Sequence, residues 1–142
     1  MVYLDTGCLV KLYYPEPESA AIAAAVVDEQ IAFAALHELE IVTAMQLKVF
    51  RGEATPEQVV ATAGLVQEDL TAGKLVERPT DWRSAFHEAT SIAQKHAAVA
   101  GSRPLDTLHC ALAKGVSSRM FLSSDARQIT LARAIGLRVQ TS

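Results

Sequence analysis

Met1-Val2-Tyr3-Leu4-Asp5-Thr6-Gly7-Cys8-Leu9-Val10-Lys11-Leu12-Tyr13-Tyr14-Pro15 contains a complete passage from strand to helix. Val2 to Leu4 is a short apolar run of strand type that stops at an acid. Thr6 to Tyr14 follows with helical spacing and is closed by the proline. The same alternation repeats down the chain. A second helix spans roughly Pro17 to Glu29, and Ile31 to Ala35 reads as the next apolar strand. Leu36, Leu39, Thr43, Ala44 and Leu47 then recur at helical spacing up to Gly52, with Glu40 on the same stripe. Thr55-Pro56-Glu57-Gln58 supplies a cap, a proline at the first helical position and a capping-box partner, which predicts a helix to about Ala72. Lys74 to Glu77 is a short strand, Asp81 to about Ala98 a long helix, and Pro104 opens another helix ending near Gly115. Arg119 to Leu122 and Leu137 to Gln140 are the last strands, joined by a helix that starts near Asp125 and is capped by Gly136. Helices alternating with short apolar strands predict an α/β domain in three layers, α/β/α, with a mostly parallel sheet covered on both faces.

The 142 residues suit one domain, and we read residues 1–142 as a single unit without linker or repeat. Half the residues are apolar and 20% are charged, which excludes disordered, collagen-like and disulfide-scaffold classes. The net charge of −3 offers no broad basic field for phosphate, so any nucleic-acid chemistry must rest on local cations. Cys8 and Cys110 lack metal-type spacing, which points to a reduced, cytoplasmic setting. No signal-like segment is visible, and the apolar run from Ala20 to Val27 is too short to cross a bilayer. The expectation is a chain without a membrane.

In parallel sheets ligands settle at the carboxyl edge of the strands. Asp5 ends the first strand, Asp125 follows the fourth, and Glu40 lies about one turn into the helix after the second. Asp106 opens a helix that precedes a strand, so its first turn belongs to the same edge. If four carboxylates meet at ~5 Å with an effective dielectric of ~20, each pair repels by roughly 3 kcal/mol and six pairs by ~20 kcal/mol, more than an ordinary domain can carry. Protonation or a divalent cation must relieve that, and an all-oxygen set suits Mg²⁺ or Mn²⁺. Such an ion could activate water and offset charge on a phosphoryl oxygen. Taken singly, Asp5, Asp106 and Asp125 also fit turn or helix-cap roles. Glu40 among Leu36, Leu39 and Leu47 is more informative, because a carboxylate there is costly unless paired. Glu38 is its rival.

Tyr3-Leu4-Asp5-Thr6, Leu36 to Ala44 with Glu40, Arg103-Pro104-Leu105-Asp106-Thr107-Leu108-His109, and Phe121-Leu122-Ser123-Ser124-Asp125 together resemble the PIN-domain ribonucleases, in particular VapC-type toxins. Leu9 to Glu18 is similar to that family's first helix and loop, and Ala132 to Val139 to its terminal pattern. The resemblance implies a five-stranded parallel sheet between helices and a Mg²⁺- or Mn²⁺-dependent endoribonuclease. It also implies a cognate VapB-like antitoxin and a homodimer. It carries the catalytic and metal-holding roles to Asp5, Glu40, Asp106 and Asp125. Thr6 and Ser123 fall at supporting positions. Gly7 and Ala34 depart from the hydroxyl-bearing residues common in relatives, and Gln128 stands where some place a further acid.

His109, three residues after Asp106 on one helical face, could orient that carboxylate or meet substrate; a packed histidine is the plainer reading. Lys11, Arg103 and Arg127 are the cations nearest the acids in sequence, suited to substrate phosphates or to pairing with the carboxylates. Tyr13 and Tyr14 suit base stacking or packing, and Trp82 suits packing. Cys8 and Cys110 each follow an acid by about a turn and could approach one another, with packing as the simpler role. The alanine-rich helices could expose a face to a second protomer or an antitoxin. A receiver-like module would need paired acids after the first strand, and a haloacid-dehalogenase-like phosphatase an Asp-x-Asp where Asp5-Thr6-Gly7 stands. The alternative that survives is a catalytically weak or silent PIN-like module that binds RNA or protein.

Overall fold

The computed structural model describes residues 1–141. In chain order it runs β1 (Tyr3–Leu4), α1 (Thr6–Tyr13), α2 (Ser19–Val26), β2 (Ile31–Phe33), α3 (Ala35–Phe50), α4 (Pro56–Thr71), β3 (Leu75–Glu77), α5 (Trp82–Ala100), α6 (Pro104–Gly115), β4 (Phe121–Ser123), α7 (Ala126–Ala134) and β5 (Val139–Thr141). All pairings are parallel: Tyr3 lies opposite Phe121, Phe121 opposite Val139, and Ile31 opposite Leu75. A bridge from Val2 to Ile31, with Val2 N–H donating to Gln30 O at 2.9 Å and Ala32 N–H to Val2 O at 2.9 Å, joins the two halves. The strand order is therefore β3-β2-β1-β4-β5.

Side-chain alternation along the strands builds the layers. Val2, Leu4, Ile31, Phe33, Met120 and Leu122 join one apolar cluster with residues of α1, α2, α3 and α4. Tyr3, Ala32 and Phe121 point the other way, into a cluster with residues of α5, α6 and α7. Period-two strands thus feed two cores, and each fully buried Leu, Ile or Phe contributes about 1.5–3 kcal/mol. Cys8 belongs to the first cluster and Cys110 to the second. Both cysteines are buried, in keeping with a packing role. Burial pushes the Cys110 thiol up to about 12, as befits a packing residue.

Several local expectations change. The second helix is shorter than Pro17 to Glu29, because the Ser19 hydroxyl accepts the Glu16 N–H and shapes a turn before Ser19. On α3 the buried residues are Leu36, His37, Ile41 and Met45, whereas Leu39 is 65% and Leu47 43% exposed. The buried face of α3 is turned around the helix from the stripe through Leu39 and Leu47, because His37 takes a core position. The capping box of α4 forms as its sequence predicts: Thr55 Oγ1 accepts from Gln58 N–H, and Gln58 Oε1 accepts from Thr55 N–H. Gly101, at φ +66°, ends α5 in the left-handed conformation.

Candidate active site

β1 leads to α1 and α2 on one side and is flanked by β4, which leads to α7, so the chain departs in opposite directions from the two central strands. Such a switch point opens a crevice at the carboxyl edge. Asp5 stands there as the N-cap of α1, its Oδ1 accepting Cys8 N–H at 2.7 Å, while its own N–H donates to Leu122 O at 2.9 Å. Asp125 caps α7 in the same way, with Oδ1 accepting Arg127 N–H at 2.8 Å and Gln128 N–H at 3.3 Å. Burial raises the Asp125 pKa, but those backbone donors and the Arg127 charge outweigh it and hold the carboxyl below its usual range.

Asp106 is buried in the first turn of α6 and faces Arg103. Its Oδ2 accepts the Arg103 backbone N–H at 2.9 Å and Nε at 3.0 Å, and its Oδ1 accepts Nη2 at 3.2 Å. The same Nη2 reaches Asp125 Oδ2 at 3.4 Å, so one guanidinium bridges two acids from different helices. Asp106 chiefly, and Asp125 and Glu40 more weakly, raise the Arg103 pKa. Arg127 Nη2 stands 3.6 Å from Asp125 Oδ2. Lys11 points elsewhere, to Glu18 Oε2 at 3.2 Å.

Glu40 is reached from another direction. Its Oε2 accepts the Thr6 hydroxyl at 2.5 Å and lies 2.6 Å from His109 Nε2. His109 Nδ1 lies 2.8 Å from the Tyr3 hydroxyl. Burial raises the Glu40 pKa, but the bonds from His109 and Thr6 outweigh it and leave the carboxyl below its ordinary value. The histidine therefore serves Glu40 and not Asp106, as its i,i+3 spacing had suggested: Asp106 is occupied by Arg103, and His109 lies one turn deeper, level with Thr6. Glu38 is exposed, whereas Glu40 is half-buried.

Three residues were not legible as part of this edge. Tyr3 has the pattern of a strand residue, and no motif marks His37. His37 is fully buried; its Nε2 donates to Leu4 O at 2.9 Å and its Nδ1 accepts Ala34 N–H at 3.1 Å. It thereby ties the end of β1 to the start of α3, where Ala34 has no hydroxyl to cap the helix. Burial first, then His109, pushes its pKa down to about 3, against the opposing pull of the Leu4 carbonyl. Gln128, noted as a missing acid, is a strut: its Oε1 accepts the Ser123 hydroxyl at 2.9 Å and its amide donates to Asp106 O at 3.4 Å. Ser123 Oγ in turn accepts Asp125 N–H at 3.1 Å. The signal in the sequence is its position, a glutamine three residues after Asp125 in the first turn of α7.

Tyr13 and Tyr14 take the packing role, donating to Asp69 Oδ2 at 3.0 Å and to Glu53 O at 2.7 Å, with Lys48 over the Tyr14 ring. Trp82 packs against the second cluster.

Among the described residues, no three His, Cys, Asp or Glu side chains form a ready metal cluster. Arg103 lies between Asp106 and Asp125, and Glu40 is drawn toward Thr6 and His109. The donor chemistry nonetheless fits a hard divalent cation. All four acids are oxygen donors: Asp5 and Glu40 each have one oxygen held by protein groups, Oδ1 and Oε2, whereas Asp106 and Asp125 each have one oxygen on a backbone N–H and the other on the Arg103 guanidinium. Two of them already share one cation, the guanidinium of Arg103.

Comparison with known proteins bears on this geometry. Two solved structures share the fold: "Crystal Structure of FitAcB from Neisseria gonorrhoeae", at 18% identity and TM-score 0.61, covering 98% of this chain and 96% of that one; and "Structure of FitAB bound to IR36 DNA fragment", at 20% identity and TM-score 0.62, covering 99% and 94%. No curated protein matches the chain by sequence. No helix among the described residues is long and apolar enough to cross a membrane. The family model for the PIN domain matches residues 2–134, nearly the whole chain and every residue of the edge just described, and the protein belongs to the PIN domain family.

Proposed function

We propose that this chain is a Mg²⁺- or Mn²⁺-dependent endoribonuclease that hydrolyses RNA phosphodiester bonds. We propose further that it is the VapC-type toxin of a type II VapBC pair, acting in the cytoplasm as one PIN-like domain over residues 1–142. The carrying observation is the single guanidinium that bridges Asp106 and Asp125 at the switch point, beside Asp5 and the Thr6-bound Glu40. Asp106 and Asp125 thus already share one cation, and Asp5 and Glu40 stand at the same edge of the sheet.

In this reading Asp5, Glu40, Asp106 and Asp125 are the metal ligands. Bound among them, a divalent cation would lower the pKa of an attacking water and offset charge on a phosphoryl oxygen. The chain's own part is orientation. Thr6 and His109 fix Glu40, Ser123 and Gln128 set Asp125 against Asp106, and the α1 and α7 caps keep Asp5 and Asp125 in one rotamer. Arg103 and Arg127 are the substrate cations; Arg103 is a fork able to leave Asp106 for a phosphate. Lys11, paired to Glu18, joins them only if that pair opens.

FitAB was solved on a DNA fragment, which supports a nucleic-acid setting for the fold. The likeness to VapC toxins supports a VapB-like antitoxin and a homodimer. The test is cleavage of total RNA by the purified protein in Mg²⁺ or Mn²⁺, with EDTA and Asp5→Asn as controls. Metal-dependent cleavage lost in both controls supports the reading, and cleavage that survives both overturns it. One observation favours the silent binding module instead: the acids are held by protein partners and do not gather three at a time. RNA binding without cleavage in either metal would select it.

A further inference from the structure

We infer that Tyr3 and His109 are positioning residues, which hold Glu40 by one carboxylate oxygen and so present the other to a divalent cation. This rests on the nuclease reading above and extends it to two residues that touch neither ion nor RNA.

Tyr3 and His109 are almost wholly buried, between β1 and α6. An apolar pair would fill that space without any polar atom to satisfy, so their polarity has a cost that needs a partner. The partners are arranged in one direction. His109 Nε2 lies 2.6 Å from Glu40 Oε2, a carboxylate oxygen that accepts, so Nε2 carries a proton and donates it there, with Thr6 Oγ1 3.3 Å away. In the neutral ring Nδ1 is then an acceptor, and the Tyr3 O–H at 2.8 Å is its donor. The Thr6 hydroxyl donates to the same Oε2 at 2.5 Å. Both bonds fall on one oxygen of Glu40.

The anchor of this chain is rigid. The Tyr3 ring stacks on Phe121 at 5.8 Å and 11°, and tilts against His37 at 4.9 Å. Tyr3 lies on the central strand, His109 on α6 and Glu40 on α3, whose Leu36 packs in the cluster of Tyr3 and α6 while Ile41 and Met45 pack in the cluster on the opposite side of the sheet. The relay therefore fixes an acid of α3 from a histidine of α6. A bond confined to one helix could not set the distance between the two.

His109→Leu removes the donor, His109→Gln keeps an N–H near Nε2, and Tyr3→Phe deletes one oxygen. Mn²⁺ affinity by isothermal titration and the histidine tautomer by ¹⁵N NMR are read beside RNA cleavage and thermal melts. The expected result is a 10- to 100-fold weaker Mn²⁺ affinity in His109→Leu, rough bounds for loss of an outer partner, with recovery to within about fivefold in His109→Gln. Tyr3→Phe should shift the His109 signature away from the Nε2–H form and weaken Mn²⁺ binding to a lesser degree. If wild type binds Mn²⁺ and cleaves RNA while folded His109→Leu binds equally well, or His109→Gln is as weak as His109→Leu, the relay is overturned and the nuclease reading stands. If wild type neither binds Mn²⁺ nor cleaves RNA, both fall. Should His109→Leu not fold, Tyr3→Phe decides: an unchanged tautomer and unchanged Mn²⁺ affinity overturn the inference.

Discussion

Glu40 and Asp125 stand at the same edge of the sheet, but Glu40 is held by hydroxyl and imidazole groups rooted in the core, whereas Asp125 is held by a helix N-terminus and by arginines in contact with solvent. The Arg103 side chain is 60% exposed; that of His109 is 4%. In the buried half, bonds lie in a low dielectric and cannot rearrange without leaving a polar atom unpaired. In the outer half, water and salt screen the pairs, and Arg103 can exchange one acceptor for another at small cost. One half of this edge is held in place, and the other can change partners, as the proposed nuclease function would require of it.

The largest test cuts across both halves. Asp5→Asn and Asp106→Asn should each reduce RNA cleavage by more than the roughly 100-fold that loss of an outer partner costs. The Asp5→Asn fold should persist, because asparagine caps α1 about as well as aspartate. Rates and melting curves check both statements; full activity in Asp106→Asn would remove that acid from the site.

A second experiment isolates the buried half through pH. The folded pKa of His37 is about 3 against an unfolded value near 6.5. The unfolded chain therefore binds the extra proton between those values, and stability falls as pH drops through that window, complete above it and fully lost below it. Between pH 7 and pH 5 the loss is about 2 kcal/mol from this residue. Urea unfolding should show it in wild type, and His37→Gln should flatten the slope. Equal slopes would mean that His37 is not held neutral.

Arg103→Ala probes the outer half. With this competing cation gone, Mn²⁺ should bind more tightly, by no more than about fivefold, since exposed pairs are worth at most ~1 kcal/mol. RNA binding should weaken and lose part of its salt dependence. Tighter Mn²⁺ binding together with unaltered RNA affinity would confine Arg103 to the acids. The smallest effect concerns Gly7, where an added Cβ would meet Asp5 Oδ1 at an ordinary 3.5 Å. Gly7→Ala should gain about 0.5–1 kcal/mol from helix propensity and leave cleavage within about twofold. A large loss of activity would show that the missing side chain matters to Asp5.

Local patterns in the chain encode the alternation of strands and helices, the cap at Thr55, the parallel sheet and the edge at which its acids emerge. These depend on periods of two and 3.6, on proline and glycine, and on the handedness of crossovers, all properties of short segments. The sequence points to Glu40 by a partly mistaken route, since Leu39 and Leu47 are exposed and the carboxylate is favoured there by Thr6 and His109 instead of being trapped among leucines. Which donor serves which acid is fixed by long-range packing. Arg103 occupies Asp106, His109 crosses to Glu40, His37 closes the gap between β1 and α3, and Gln128 braces Ser123 against Asp106. Hydrogen bonds are effective only within about 3.5 Å, and for residues 69 or 106 positions apart in the chain that distance is set by how two helical layers close over a sheet, which no local pattern encodes.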